Sequence, residues 1–238
     1  MENATYTTLT RQSGLMNEMR VVANNLANIS TTGFRTEGVI FAEHVRALGP
    51  GQDSLSMATA SARQTLSAQG TLIQTGGAYD LAIEGDGFFL IETPGGERLT
   101  RAGAFTPNEN GDLVTPEGYR VLDAGGAPVF IPQGAGPVGI APDGTISAGG
   151  QPVGQVGLVM PVDLIGMVRE DGVRFRADDG FEPAFDGRIA QGFVEESNVD
   201  PILQVSRMIE VQRSYELGQS FLDKEDERIR AALRALGQ

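Results

Sequence analysis

The chain has 238 residues, an ordinary apolar content of 40% and a net charge of −13, enough for one or two folded domains and too apolar for disorder throughout. It has no cysteine, which excludes disulfides, thiolate metal sites and thiol nucleophiles, and its single histidine, His44, excludes imidazole clusters. The acidity sits in the middle: residues 76–192 hold 17 acidic and 7 basic side chains, residues 199–238 hold 7 and 6, and residues 1–30 hold 2 and 2, a distribution that repels phosphate backbones and argues against nucleic-acid binding.

Residues 1–33 are expected to form an N-terminal helix with its stop. Leu9, Met16, Met19, Ala23 and Leu26 recur at alternating three- and four-residue spacing, with Gln12 as the polar member of the stripe. Ser30-Thr31-Thr32-Gly33 ends it, because two β-branched residues and a glycine disfavour continuation. No basic segment leads into an apolar run, and no stretch approaches the roughly 18 apolar residues of a membrane span, so neither a cleaved signal nor a membrane-spanning helix is expected.

Residues 34–75 read as an extended connector, broken at Gly49-Pro50-Gly51 and followed by a Ser/Thr/Ala-rich tract from Ser54 to Ser67. The alternative is a pair of loops lying on the main domain. Residues 76–192 read as a β-rich middle domain. Between Gly70 and Gly192 lie 25 of the 32 glycines, and between Pro94 and Pro183 lie 10 of the 12 prolines, which leaves little room for long helices. Asp80–Glu84 and Phe88–Glu92 have strand character, and Thr93-Pro94-Gly95-Gly96 can turn the second back into Arg98–Arg101. Further turns are expected at Asn110-Gly111, Asp143-Gly144, Asp171-Gly172 and Asp186-Gly187, giving short antiparallel strands.

Residues 193–238 carry the longest helical signal. Asp200-Pro201 offers a capping carboxylate and then a proline at a position that needs no amide donor. Met208, Val211, Tyr215, Gly218, Leu222, Ile229, Ala232 and Leu236 follow with the spacing of a coiled-coil seam. A helix from Pro201 to Leu236 would be about 54 Å long at roughly 1.5 Å per residue, so it needs a partner helix. The N-terminal helix can supply one, either as a hairpin packed on the same domain or in a bundle shared with other chains. The fold class is therefore α+β, with a coiled-coil-like pair of terminal helices, an extended connector and one antiparallel β-rich domain.

Candidate chemistry is sparse. Gly134-Ala135-Gly136-Pro137-Val138-Gly139 fits a dinucleotide-binding spacing, but Pro137, Pro142 and Asp143-Gly144 stand where that motif needs a helix to begin. Glu84-Gly85-Asp86-Gly87 and Asp178-Asp179-Gly180 lack the spaced ligands of a calcium loop and read as acidic turns. No nucleophile neighbours His44, and no catalytic, metal-binding or cofactor-binding residue is assigned.

Three stretches carry a family resemblance. Ala23-Asn24-Asn25-Leu26-Ala27-Asn28-Ile29-Ser30-Thr31-Thr32-Gly33-Phe34-Arg35 resembles the N-terminal signature of the bacterial flagellar rod and hook proteins. Glu196–Pro201 and Met208–Glu216 resemble their C-terminal signature; Gln69-Gly70, Thr75-Gly76, Asp80–Phe89 and Thr100–Gly103 resemble the start of the middle domain of the rod members. Ile29-Ser30 departs conservatively from the usual valine and asparagine. The resemblance implies a structural, non-enzymatic subunit of the basal-body rod, the drive shaft that carries motor torque across the periplasm. It implies export through the flagellar type III apparatus without cleavage, and assembly with proximal-rod subunits, the distal-rod protein and copies of itself. The expected assembly residues are Leu9, Met16, Met19 and Leu26 with Met208, Val211, Tyr215 and Leu222 in the seam, and Asn24, Asn25 and Asn28 making inter-subunit or capping hydrogen bonds. The alternatives are the distal-rod member itself and, from another class, a secreted β-domain binding module or carbohydrate-active enzyme oligomerised by its helices.

Overall fold

The computed structural model describes residues 2–46, 55–134 and 136–236. The Gly49–Gly51 break, Ala135 of the glycine-rich turn and the side chain of His44 lie outside the described residues. The chain divides into two compact units: a helical unit of residues up to 27, 37–66 and from 200, and a sheet unit of residues 28–36 and 67–199. The protein is α+β, as its sequence leads one to expect.

The helical unit holds α1 (Glu2–Ala27), β1 (Glu37–Arg46), β2 (Leu55–Thr65) and α2 (Pro201–Leu236). β1 and β2 form an antiparallel ribbon running from Glu37 opposite Thr65 to Arg46 opposite Leu55, with a bulge at Ile40/Phe41. The ribbon and α2 both pack against α1. Three tertiary contacts make the helices antiparallel: Gln12 with Tyr215, Glu18 with Arg207, and Asn25 with Gln204. In this register the described part of α1 reaches only to about residue 225 of α2, and the last three turns of the longer helix run beyond it.

The start of α2 is capped as its sequence specifies. Asp200 Oδ1 accepts from the amides of Ile202 at 2.9 Å and Leu203 at 3.1 Å, satisfying donors that have no partner within the helix.

In the sheet unit the strands are β3 (Leu72–Gln74), β4 (Leu81–Glu84), β5 (Phe88–Thr93), β6 (Gly96–Thr100), β7 (Thr106–Pro107), β8 (Leu113–Val114), β9 (Arg120–Leu122), β10 (Val138–Ile140), β11 (Thr145–Ala148), β12 (Gln151–Gln155), β13 (Leu158–Pro161), β14 (Val168–Asp171), β15 (Arg174–Arg176), β16 (Phe181–Pro183), β17 (Arg188–Gln191) and β18 (Phe193–Glu195). All pairings are antiparallel. The main sheet runs β14-β15-β6-β5-β9-β8-β7, with β13 joining β5 to β16, while β10-β11-β12, β17-β4 and β18-β3 form smaller sheets.

β5 is the centre of this unit because both of its faces are apolar. Phe89 and Ile91 enter one core with Leu81, Ile83, Phe105 and Ile146. Phe88 and Leu90 enter a second with Leu99, Leu122 and Phe175. Edge-on ring contacts tie Phe89 to Phe105 at 5.2 Å and Phe88 to Phe175 at 5.9 Å. The continuous Phe-Phe-Leu-Ile run is what a strand buried on both sides requires.

Candidate assembly surface and terminal clasp

Within the helical unit, α2 buries the first part of the face that its periodicity marks, while Ile229 and Ala232 further along it are exposed. Val211 is buried, Met208, Tyr215, Gly218 and Leu222 are half-buried, and Ile202, Leu203, Leu217 and Leu233 on other faces are exposed. At Gly218 a Cβ would meet the end of the Gln12 side chain, so the carboxamide would have to move to admit one. That carboxamide donates from Nε2 to the Tyr215 carbonyl at 2.8 Å, and its Oε1 is buried without a hydrogen-bond partner.

On α1 only Gln12 of the stripe is among the deepest residues. Gln12, Gly14, Glu18, Val21, Val22 and Asn25 are buried, whereas Leu9 is 50% exposed, Ala23 is exposed, and Met16, Met19 and Leu26 are intermediate. The reason is that α1 faces two elements, α2 and the ribbon, whose contacts centre on an adjoining face. Polar residues are admitted to that face because each finds a partner. Glu18 binds Arg207 at 2.5 Å. Burial disfavours the Arg207 charge, but the hydrogen bond and charge of Glu18 prevail and raise its pKa. Asn25, 1% exposed, accepts from the Glu37 amide at 2.9 Å and donates to the Glu37 carbonyl at 2.8 Å, pairing the last turn of α1 with the start of β1. Asn24 donates to the Glu37 carboxylate at 3.5 Å, and Asn28 accepts from the Thr31 hydroxyl at 3.1 Å just beyond the helix. The three asparagines thus make bonds within the chain.

A groove of about 350 Å³ runs between the two helices, lined by Thr8, Arg11, Gln12, Leu15, Leu217 and Phe221 among others. Among the described residues no group of three or more His, Asp or Glu side chains could hold a metal ion, and no helix is long and apolar enough to cross a membrane.

The sheet unit contains a second built feature that periodicity does not reveal. Residues 33–36 lie against residues 195–198 on the body of the unit: the Gly33 amide donates to the Glu195 carbonyl at 2.7 Å and the Asn198 amide to the Phe34 carbonyl at 3.3 Å. Asn198 Oδ1 accepts from both the amide and hydroxyl of Thr36, at 2.6 and 2.7 Å. Gly33 has φ +71° and lies so close to the Arg101–Ala102 backbone that no Cβ could fit. Phe34 is fully buried beneath the Arg169 guanidinium, 4.5 Å from its ring, and the same guanidinium lies 4.6 Å from Phe175.

At the centre of this clasp Glu195, 1% exposed, faces two arginines. Its Oε1 is 2.8 Å from Arg35 and accepts the Gly70 amide at 2.9 Å; its Oε2 is 3.3 Å from Arg101 Nε. Arg35 also donates to the Ser67 and Ala68 carbonyls, and Arg101 to the Gly85 carbonyl at 2.7 Å. Burial lowers the Arg35 pKa and pulls Arg101 down to about 10, with Glu195 opposing the shift in both and Arg35 adding to it at Arg101. Arg35, Arg101 and Glu195 are not among the residues expected from the sequence to take part in assembly. Their signal is a charged residue inside or beside each of three family motifs, at Phe34-Arg35, Thr100-Arg101 and just before Glu196.

The fold and these contacts define an assembly subunit: two helices drawn from opposite ends of one chain, with the adjoining chain segments clasped together on a β-rich unit. Residues 6–35 match the flagella basal body rod protein family, residues 82–148 the flagellar hook protein FlgE/F/G D1 domain and residues 190–235 the flagellar basal body rod FlgEFG protein C-terminal family. The chain is 41% identical to the flagellar basal-body rod protein FlgF of Caulobacter vibrioides over 100% of its own length and 99% of the relative's. It is 41% identical to FlgF of Mesorhizobium japonicum over 91% of the chain and 90% of the relative. Against the flagellar basal-body rod protein FlgG of Bacillus subtilis the identity is 31%, over 95% and 96%. The chain belongs to the family of flagellar basal-body rod proteins. It is a structural subunit of the rod, and its likeness to FlgF exceeds its likeness to FlgG.

Proposed function

We propose that the chain enters the axial rod through its terminal helices and carries torque there across the periplasm. The carrying observation is that Leu9, Met16, Met19 and Leu26 stay at least partly exposed after α1 has packed against everything its own unit offers. An apolar stripe left over in this way suits a coiled-coil-like seam with neighbouring subunits, to which the Met208–Leu222 face of α2 contributes from within. Residues 1–33 and 193–238 act as the core domain, 34–75 as the connector that braces adjacent subunits, and 76–192 as the outward middle domain. The partners are other rod proteins, including FlgG, and copies of this chain, joined head to tail by a non-closing rotation that builds a tube. Delivery is through the flagellar type III apparatus without cleavage.

Cryo-electron microscopy of purified basal bodies tests the reading. Density for this chain in the rod, with both terminal helices in the central tube, is the expected result. Its location outside the rod, or terminal helices on the outer surface, would overturn it.

A further inference from the structure

Two arginines share one carboxylate in the clasp, and the imbalance shows in its hydrogen bonds: Arg101 Nε and Nη1 and Glu195 Oε2 are buried without hydrogen-bond partners. A buried ionic cluster of this kind contributes little net stability compared with apolar packing, yet losing one member strands the others, so its attested use is to fix one arrangement against alternatives. The arrangement at stake here is the seating of residues 28–36. They belong to the sheet unit although they follow directly on α1, and of their side chains only Phe34 is a large buried apolar group. Phe34 belongs to neither apolar core cluster of the sheet unit. Releasing the segment would therefore uncover Phe34 and Arg35 and one side of the Arg169 guanidinium, whose other contact is Phe175 of the second core, without removing any residue from either core.

We infer that residues 28–36 form a releasable strap and that Glu195 is the positioning residue that locks it, so the strap docks only once the segment from Glu195 to Asn198 is in place. Arg35 is the working partner, since it bridges Glu195 to the Ser67 and Ala68 carbonyls. Arg101 is the cation that Glu195 holds less closely, at 3.3 Å against 2.8 Å for Arg35, with Asp86 adding a favourable charge to both. This assignment does not depend on the assembly reading, because every contact it uses lies within the sheet unit.

Amide hydrogen exchange on the full chain tests the lock. In the unmodified protein the amides of Gly33, Thr36 and Gly70 are expected to exchange through a local opening insensitive to low denaturant, ahead of Ile91 and Val121 in the core strands. In Glu195→Gln, exchange at those three positions rises by about tenfold or more while Ile91 and Val121 keep their protection. In Arg101→Met the strap stays docked, because Arg35 and Glu195 then pair one to one. The inference is overturned if the strap amides open only together with the core strands, if Glu195→Gln leaves them unchanged or lowers protection evenly across the unit, or if Arg101→Met releases the strap as Glu195→Gln does. The unmodified protein decides the matter even where a variant fails to fold.

Discussion

Asn25 lies beside the apolar stripe of α1, yet it is buried, and it serves there as a substitute peptide group. Its carboxamide completes both backbone bonds of Glu37, a residue itself buried, and so replaces strand pairing at the point where β1 meets α1. Asn25→Leu keeps similar volume but leaves a buried amide and a buried carbonyl unpaired, at about 1–3 kcal/mol for each stranded group. Urea unfolding of the variant should show that loss, and unchanged stability would mean that water replaces the side chain. Arg101 presents the opposite case, a charge that burial disfavours. Burial pulls its pKa down to about 10 in the folded chain, below the ordinary arginine range, so above pH 10 the unfolded chain holds more protons at this site and stability rises with pH. Below pH 10 both states are protonated and the cost of the buried charge is fully present. The difference in unfolding free energy between the wild-type protein and Arg101→Met should therefore move in favour of the wild type as pH rises above 10; a flat difference would mean that the guanidinium keeps its proton. Neither role could be read beforehand, because the partners of Asn25 and Arg101 are brought to them by folding.

At the scale of elements, the readable features were those whose cause is local. The cap of α2 is one, since Asp200 and Pro201 act on the amides immediately after them. Replacing Asp200 by alanine should cost about 1 kcal/mol and fray the first turn, seen as faster exchange at the Ile202 and Leu203 amides than in the wild type. The burial of α2 from Met208 to Leu222 is another: Met208, Val211, Tyr215 and Leu222 recur at helical spacing and are buried or half-buried where α2 packs along α1. The strands β4, β5 and β6, and the turn between the last two, followed from short apolar runs and from Thr93-Pro94-Gly95-Gly96. Less was legible on α1, because its buried face is lined by Gln12, Glu18 and Asn25, whose polarity is matched by groups on α2 and β1 that no window of sequence contains. Sheet order was equally hidden. β4 pairs with β17 and β5 with β13, unions across long stretches of chain that depend on core packing and not on any turn signal.

At the scale of the whole molecule, the determining quantity is the length of α2 against the partner its own chain supplies. Thirty-six residues make a helix of about 54 Å, and a helix of that length is marginal in water wherever nothing packs against it. Its described antiparallel partner ends near residue 225, and beyond that point Ile229 and Leu233 are exposed. Leu222 sits just inside the covered region, half-buried on the inward face, so a charge placed there would strike the pairing of α1 with α2 at the place where support from within the chain runs out. A carboxylate at a partly buried apolar position is costly to keep from water, and the helices would separate locally to hydrate it. The sheet unit holds its own cores and contains no part of α2, so it has no reason to respond. Leu222→Asp is accordingly expected to abolish incorporation into rods, and with it motility, while amide exchange at Ile91 and Val121 stays as in the wild type. Normal motility in that variant would show that the inward face of α2 carries no load in assembly. Loss of protection at Ile91 and Val121 would show instead that the two units depend on each other for folding.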